Sequence, residues 1–331
     1  MHDPNASEWK VAQIAQLIAE GRSVTKCPIS GLPEQHREVF ERALRNVLST
    51  ETAQMTYAQI IDGFPMVSVA RDKRGPSIDF DHPVFQENHD TLCPGAWEKM
   101  KEFHSSFDIG VLSMDERLLH AYSAESIGSR AFRPRLLEMV AVALHQLAVL
   151  LYKLGDMQQH EQWKLWTPPN RYPDPEMWPD PEPYPTLFFH AWFQEYKQYP
   201  EGVADMVGYW AEERILGGVV LFDRGASGTQ CREIYFHSDR PDVTYRLYAL
   251  VDEQKQKLFS FFADTSGLQQ DVLPILGDSN NRVRLDPEDA VFQFHIYRDR
   301  WERPVLDERQ RSRRRVENPL DFPEIEDHNW N

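Results

Sequence analysis

Apolar positions recur at helical spacing through most of the first 65 residues. Ser7 is placed to cap a helix whose apolar face is Val11, Ile14, Leu17 and Ile18, and Gly21 follows as its stop. Residues 34–48 repeat the pattern through Val39, Ala43, Leu44, Val47 and Leu48, and 52–61 predict a shorter helix ended by Asp62-Gly63-Phe64-Pro65. The period is then lost. Residues 66–95, with the turn Lys73-Arg74-Gly75-Pro76 and the polar positions Asp79, Asp81, His82, Glu87, His89 and Asp90, read as loop with one or two short strands. Helices return at 96–107 and 114–124, the second with Asp115 and Glu116 in its first turn, where carboxylates suit the helix dipole.

The clearest element is 134–154. Leu136, Leu137, Met139, Val140, Val142, Leu144, Leu147, Val149, Leu150 and Leu151 cover every side of a helical wheel, which predicts a central helix enclosed by the protein. Pro134 is harmless in its first turn, because the missing N–H has no partner there. Eight prolines then fall in 18 residues from Pro168 to Pro185, interleaved with Tyr172, Met177, Trp178 and Tyr184. That density forbids helix and central strand alike. Its aromatics argue for a connector lying against the surface, with a binding lid as the other reading. Helices are predicted at 187–199 and 204–216. Two β-prone runs, 217–222 and 232–237, flank the turn signal Asp223-Arg224-Gly225-Ala226-Ser227-Gly228 and predict a hairpin. Residues 243–248 and 290–297 suggest further strands, and 253–262 a helix.

The expected fold class is α+β: a helical N-terminal part with a buried central helix, then a small, mostly antiparallel sheet with flanking helices. The expected parts are 1–167 (helical), 168–186 (proline-rich connector), 187–305 (α+β) and 306–331 (charged tail). No internal repeat is found.

Composition narrows the function. The chain of 331 residues has 41% apolar residues and a net charge of -16, enough apolar chain to bury a core and too much negative charge to attract phosphate backbones or anionic lipid without a local basic patch. Nucleic acid is therefore not an expected partner. The arginine run 309–315 is flanked by Glu308 and Glu317 and reads as a solvated tail. Cys27, Cys93 and Cys231 form no C-x-x-C pair, which argues against a disulfide scaffold or an ordinary cysteine zinc site. The longest uncharged stretch, 139–152, has 14 residues against the roughly 20 a membrane span needs, and the polar N-terminus lacks a secretory layout. A cytoplasmic protein without membrane contact is expected. G-x-G-x-x-G, G-x-x-x-x-G-K-[ST], G-x-S-x-G and H-E-x-x-H do not occur, so the standard dinucleotide, nucleotide triphosphate, serine hydrolase and zinc protease readings lose support.

Chemistry is sought among ionisable residues in apolar elements. Glu138 and His145, seven residues apart, fall on nearly one face of the central helix, where burial would shift both pKa values and suit acid/base work. The competing reading pairs Glu138 with Arg133 or Arg135 and gives His145 a core hydrogen bond. Trp210 and Glu212 precede Gly217-Gly218, and Asp223-Arg224 closes the following strand; close backbone approach there serves a ligand or simply packing. His190, among Phe188, Phe189, Trp192 and Phe193, suits an aromatic or cationic substrate or completes an aromatic core. Finally, His237 and Asp239 share a strand face. With His295 they resemble the two-histidine, one-carboxylate iron ligands of non-haem oxygenases, although the intervening chain reads partly helical and no strand arginine follows.

The stretch 205–212 (Asp-Met-Val-Gly-Tyr-Trp-Ala-Glu), continuing through Gly217-Gly218-Val219-Val220-Leu221-Phe222-Asp223-Arg224 to Tyr235-Phe236-His237, resembles an uncharacterised family of fungal hypothetical proteins, as do 134–154 and Arg298-Asp299-Arg300-Trp301-Glu302. The resemblance covers about half the chain and implies a fungal cytosolic protein linked to specialised metabolism. One characterised group of such fungal proteins, the arginine-containing cyclodipeptide synthases, carries D-D-x-x-E; this chain has no Asp-Asp pair and its charge opposes tRNA, which leaves a cyclodipeptide synthase-like, tRNA-dependent enzyme as a remote alternative. The leading expectation is an enzyme that transforms a small organic molecule by acid/base chemistry in an apolar pocket, with His145, Glu138, Glu212 and His237 catalytic, and His190, Trp210, Asp223 and Arg224 binding substrate. No cofactor is expected on that reading. The alternatives are an iron oxygenase using His237, Asp239 and His295, and a noncatalytic binding or scaffold protein.

Overall fold

The computed structural model describes residues 25–73, 80–155, 163, 165–167, 184–267, 271–299, 302 and 321–323. The predicted helix over 7–20, the proline-rich stretch up to residue 183 and nearly all of the charged tail lie outside them.

The helical part begins with a short antiparallel pair, β1 (Lys26–Pro28) and β2 (Ser113–Asp115). Helix α1 (Glu34–Leu48) buries Phe40, Ala43, Leu44, Val47 and Leu48, the stripe its period predicts. Helix α2 (Glu51–Asp62) starts where Thr50 Oγ1 accepts the Ala53 N–H at 3.2 Å and ends where Gly63 turns left-handed at φ 98°. The short helices α3 (Val67–Arg71) and α4 (Pro83–Gln86) precede α5 (Ala96–Ser106) and α6 (Glu116–Ser123), the last capped by Asp115 Oδ1 on the Arg117 N–H at 2.8 Å.

Helix α7 (Phe132–Leu154) is the predicted central helix, and it packs most extensively along α8 (Val203–Leu216). By length and composition alone α7 could cross a membrane, but its apolar stretch is mostly buried inside the protein. The sheet follows: β3 (Val219–Asp223), β4 (Ile234–His237), β5 (Leu247–Ala249), then α9 (Asp252–Ala263), β6 (Arg284–Leu285), α10 (Pro287–Ala290) and β7 (Ile296–Tyr297). Strand order is β6-β5-β4-β3-β7 and every pairing is antiparallel, so the fold is α+β with a helical N-terminal part.

Alternation along the strands sorts their side chains into two cores. Val220, Phe222, Ile234, Phe236 and Tyr248 join the large core built on α1, α2, α7 and α8, whereas Val219, Leu221, Tyr235 and Leu247 join a second core with Phe189, Phe193 and Tyr199. A sheet covered on both faces explains why its strands read as unbroken apolar runs. Residues from before and after the proline-rich stretch meet in the large core.

Three local expectations are corrected. Residues 187–199 are not a helix: Thr186 Oγ1, Asp239 Oδ2, His190 Nδ1 and Tyr199 Oη accept the N–H groups of Phe188, Ala191, Trp192 and Glu195, so side chains take donors a helix would have used. Between 66 and 95 the described residues hold α3 and α4 rather than strands, α4 started by Pro83 and by His82 Nδ1 accepting the Val84 N–H. The strand expected over 290–297 shrinks to β7, because His295 adopts φ 55° immediately before it.

Gly217 joins α8 to β3 at φ 104°, and a Cβ there would sit 2.2 Å from the Ile275 carbonyl oxygen. Gly217→Ala is expected to destabilise by about 2–5 kcal/mol, from left-handed strain plus overpacking. Gly31→Ala, whose Cβ meets nothing within 4 Å, should stay within about 0.5 kcal/mol of the parent. Urea titration of the pair reads the difference.

Candidate functional site

Five ionisable residues of α7 and α8 are buried: Glu138, His145, Asp205, Glu212 and Glu213. Buried charge is stable only when paired and hydrogen-bonded. His145 Nε2 lies 2.9 Å from Asp205 Oδ1, and Asp205 Oδ2 accepts the Glu201 N–H at 2.7 Å. The imidazole fits because residue 208 is glycine; a Cβ there would be 2.4 Å from Nε2. Burial raises the Asp205 carboxyl, but His145 outweighs it and the group ends below its ordinary value. His145 Nδ1 is buried without a hydrogen-bond partner, with the Tyr209 ring edge-on at 4.6 Å between centroids.

Glu138 is held from two sides. Its Oε1 accepts Arg224 Nη2 at 2.6 Å and its Oε2 accepts Arg135 Nη1 at 2.8 Å. Arg224 continues to the carbonyls of Tyr297 at 3.1 Å and Arg298 at 3.0 Å. Glu212 repeats the arrangement: Oε1 accepts the Val220 N–H and Oε2 accepts Arg298 Nη1, both at 2.6 Å, while Arg298 Nε approaches Glu302 at 3.3 Å. The two glutamates therefore belong to one chain of charges that ties β3 and β7 to the helices. Burial pushes Glu138 upward, yet Arg224 and then Arg135 prevail and hold it below the usual carboxylate range.

The structure does not gather the predicted catalytic residues around one hollow. Glu138, Glu212 and His145 each close on their own partner, and His237 lies on the Tyr235 face of the sheet, its Nε2 3.0 Å from the Tyr245 carbonyl and its ring against His190, Trp192 and Phe193. Among the predicted binding residues, His190 donates Nε2–H to the His237 carbonyl at 3.0 Å, Trp210 packs on Phe188 in the core, Asp223 Oδ1 accepts the Gly225 N–H in the hairpin turn, and Arg224 serves Glu138. Nor do the three iron ligands assemble. His237 pairs with Val219 at the start of β3, whereas the His295 carbonyl accepts the Arg224 N–H beyond its end, roughly 15 Å away at the strand's rise.

A different corner escapes the sequence reading. Arg214 pairs with Asp72 at 2.7 Å and Arg240 with Glu213 at 3.0 Å. Beside them Asp239, 4% exposed, uses Oδ2 on the Ala191 N–H and leaves Oδ1 buried without a partner. Lys73 is partly buried and has no anion in contact among the described residues; its Nζ stands 3.4 Å over the centre of the Phe189 ring, on which Tyr184 stacks at 4.1 Å. Burial pulls the Lys73 ammonium down to about 7, with Asp239 opposing. Burial and then the Glu213 charge raise the Asp239 carboxyl well above its ordinary value, with Lys73 opposing. Both shifts disfavour the charged form of their group. Asp239 was visible only as one member of the iron set, and Lys73 only as part of a turn.

Among the described residues the set able to hold a metal is Asp62, His89 and Cys93, whose ligand atoms all lie within 4.8 Å of one another.

The Glu138 pair sets a pH dependence. A carboxylate whose folded value is depressed adds stability above its unfolded value, near 4.3, and loses it as pH falls through the folded value. The urea midpoint should therefore drop as pH is lowered from about 5, and Glu138→Gln, which also costs about 3–5 kcal/mol at pH 7 by leaving Arg224 unpaired, should show a shallower drop.

Comparison with family models, with curated proteins and with solved structures finds no match to this chain, so its function is read from the geometry itself.

Proposed function

We propose that the protein is an enzyme acting on a small organic molecule by acid/base chemistry, with Lys73 as base and Asp239 as acid. One observation carries this reading: Asp239 keeps a buried carboxyl oxygen, Oδ1, without a partner, and its charge acts on Lys73, an amine that has an aromatic face instead of an anion in contact. An amine near pH 7 exists substantially as free base, and burial makes the Asp239 carboxyl hold a proton more readily than an ordinary aspartate, the two directions that proton transfer requires. Phe189 and Tyr184 supply an apolar wall for the substrate. The seam residues Glu138, His145 and Glu212 then act as scaffold. On the resemblance to fungal proteins, the reaction belongs to specialised metabolism in a cytoplasmic setting.

A second reading is a binding protein that uses the same corner without turnover. The pairing of each sequence-predicted catalytic group with a partner inside the protein favours it.

Two measurements test the proposal. Acetylation of the folded chain, followed peptide by peptide across pH 5–11, should give Lys73 a midpoint near pH 7 and other exposed lysines one near 10.4. Asp239→Asn removes the opposing charge and should move the Lys73 midpoint lower. An ordinary lysine midpoint at Lys73 rejects the site. Incubation with a small-molecule extract then separates the readings: an enzyme consumes one mass and forms another, and Lys73→Met abolishes the conversion. A compound retained unchanged by the parent and lost from Lys73→Met marks a binding protein.

A further inference from the structure

Asp62 poses an electrostatic problem that the fold does not solve with arginine or lysine. It is the last residue of α2 and is fully buried. The C-terminal end of a helix carries partial negative charge, so a carboxylate there adds like to like. Among the described residues no arginine or lysine pairs with it. What surrounds it is a donor set. His89 Nε2 stands 3.0 Å from Oδ2, the Cys93 N–H approaches both oxygens at 3.2 and 3.3 Å, and the Cys93 thiol also hydrogen-bonds this carboxylate.

The backbone holds these groups in place. The His89 N–H donates to the Val84 carbonyl at 3.1 Å and its carbonyl accepts the Val67 N–H at 2.7 Å, while Asn88 before it adopts φ 49°, a conformation asparagine tolerates. Trp163 packs edge-on against the His89 ring at 5.6 Å and against Phe64 at 5.4 Å, roofing the cluster with aromatic surface.

We propose that Asp62, His89 and Cys93 bind a zinc ion that clips the end of α2 to the loop carrying His89 and Cys93. Oxygen, nitrogen and sulfur donors together suit zinc and poorly suit calcium or magnesium, which take oxygen alone. Tetrahedral zinc with bonds of 2.0–2.3 Å sets its ligand atoms about 3.4–3.7 Å apart. The set here, 3.0 Å for nitrogen to oxygen and within 4.8 Å throughout, needs only sub-ångström to ångström adjustment. On binding, the Cys93 S–H bond breaks, sulfur keeps the electron pair to form the zinc bond, and the proton leaves to solvent. Three protein ligands leave the fourth position to water. This is not the C-x-x-C arrangement that the sequence lacks; it joins the end of a helix to a His-x-x-x-Cys loop. It is independent of the Lys73–Asp239 reading.

The test uses the full, tag-free chain. After incubation with zinc and gel filtration, metal analysis should find about one zinc per chain, and zinc should raise the thermal midpoint. Cys93→Ser and His89→Gln, each checked for folding by circular dichroism, should weaken zinc at least about tenfold and abolish the thermal gain. Cobalt in place of zinc should give a thiolate-to-cobalt absorption in the parent that Cys93→Ser lacks. No bound zinc, or zinc bound equally by both variants, overturns the proposal, and in the second case places the ion elsewhere.

Discussion

The fold depends on how two glutamates are neutralised where α7 and α8 meet the sheet. Glu138 and Glu212 stand in an apolar seam that would by itself accept several registers of strand on helix, since apolar contact has little directional preference. Arg224 at the end of β3 and Arg298 just after β7 remove that freedom. Each guanidinium meets its carboxylate at 2.6 Å, and Arg224 also binds the carbonyl of Arg298, so the pairs hold or fail together. Replacing such pairs by hydrocarbon often costs little, whereas removing one partner strands a charge at several kcal/mol. Their effect here is therefore to fix position: any shift of the sheet by one residue unpairs a buried ion.

The same logic explains what was legible in the sequence. The enclosure of α7 follows from a wheel without a polar side, and the β3–β4 hairpin from two β-prone runs around a glycine-containing turn, because both are local patterns. Glu138 and His145 stand out as ionisable residues in an apolar helix, and the local partner Arg135 is only three residues away. Arg224, Arg298 and Asp205, which decide what those groups do, lie 86, 86 and 60 residues distant from Glu138, Glu212 and His145. No periodicity reports such pairings. Charge inside a greasy segment signals burial, and chain topology decides whether it also signals catalysis.

The aromatic segment 187–199 failed as a helix for a related reason. Its composition favours burial, but its N–H groups are taken by Thr186, His190, Tyr199 and a distant carboxylate, Asp239. That capture is what brings Asp239 beside Phe189 and Lys73. Lys73 and Asp239 were unreadable as a pair because a strand end and a turn residue 166 positions apart share no pattern. The Asp62 cluster was missed differently: a search for paired cysteines does not see a lone thiol that completes a set begun 31 residues earlier.

A division of labour follows from where hydrogen-bonding capacity is spent. In the seam, both oxygens of Glu138, Glu212 and Asp205 accept a donor within 3 Å, so a substrate arriving at any of these carboxylates would have to break a buried hydrogen bond or ion pair first. At the Lys73 corner the balance is reversed. Asp239 Oδ1 already bears the cost of burial without a partner, and a ligand that supplies a hydrogen-bonding group there recovers a hydrogen bond at no loss of an existing one. Saturated charge in the interior gives the fold its register, and on the proposed reading the unsatisfied capacity just beyond the end of β4 is where a ligand would bind.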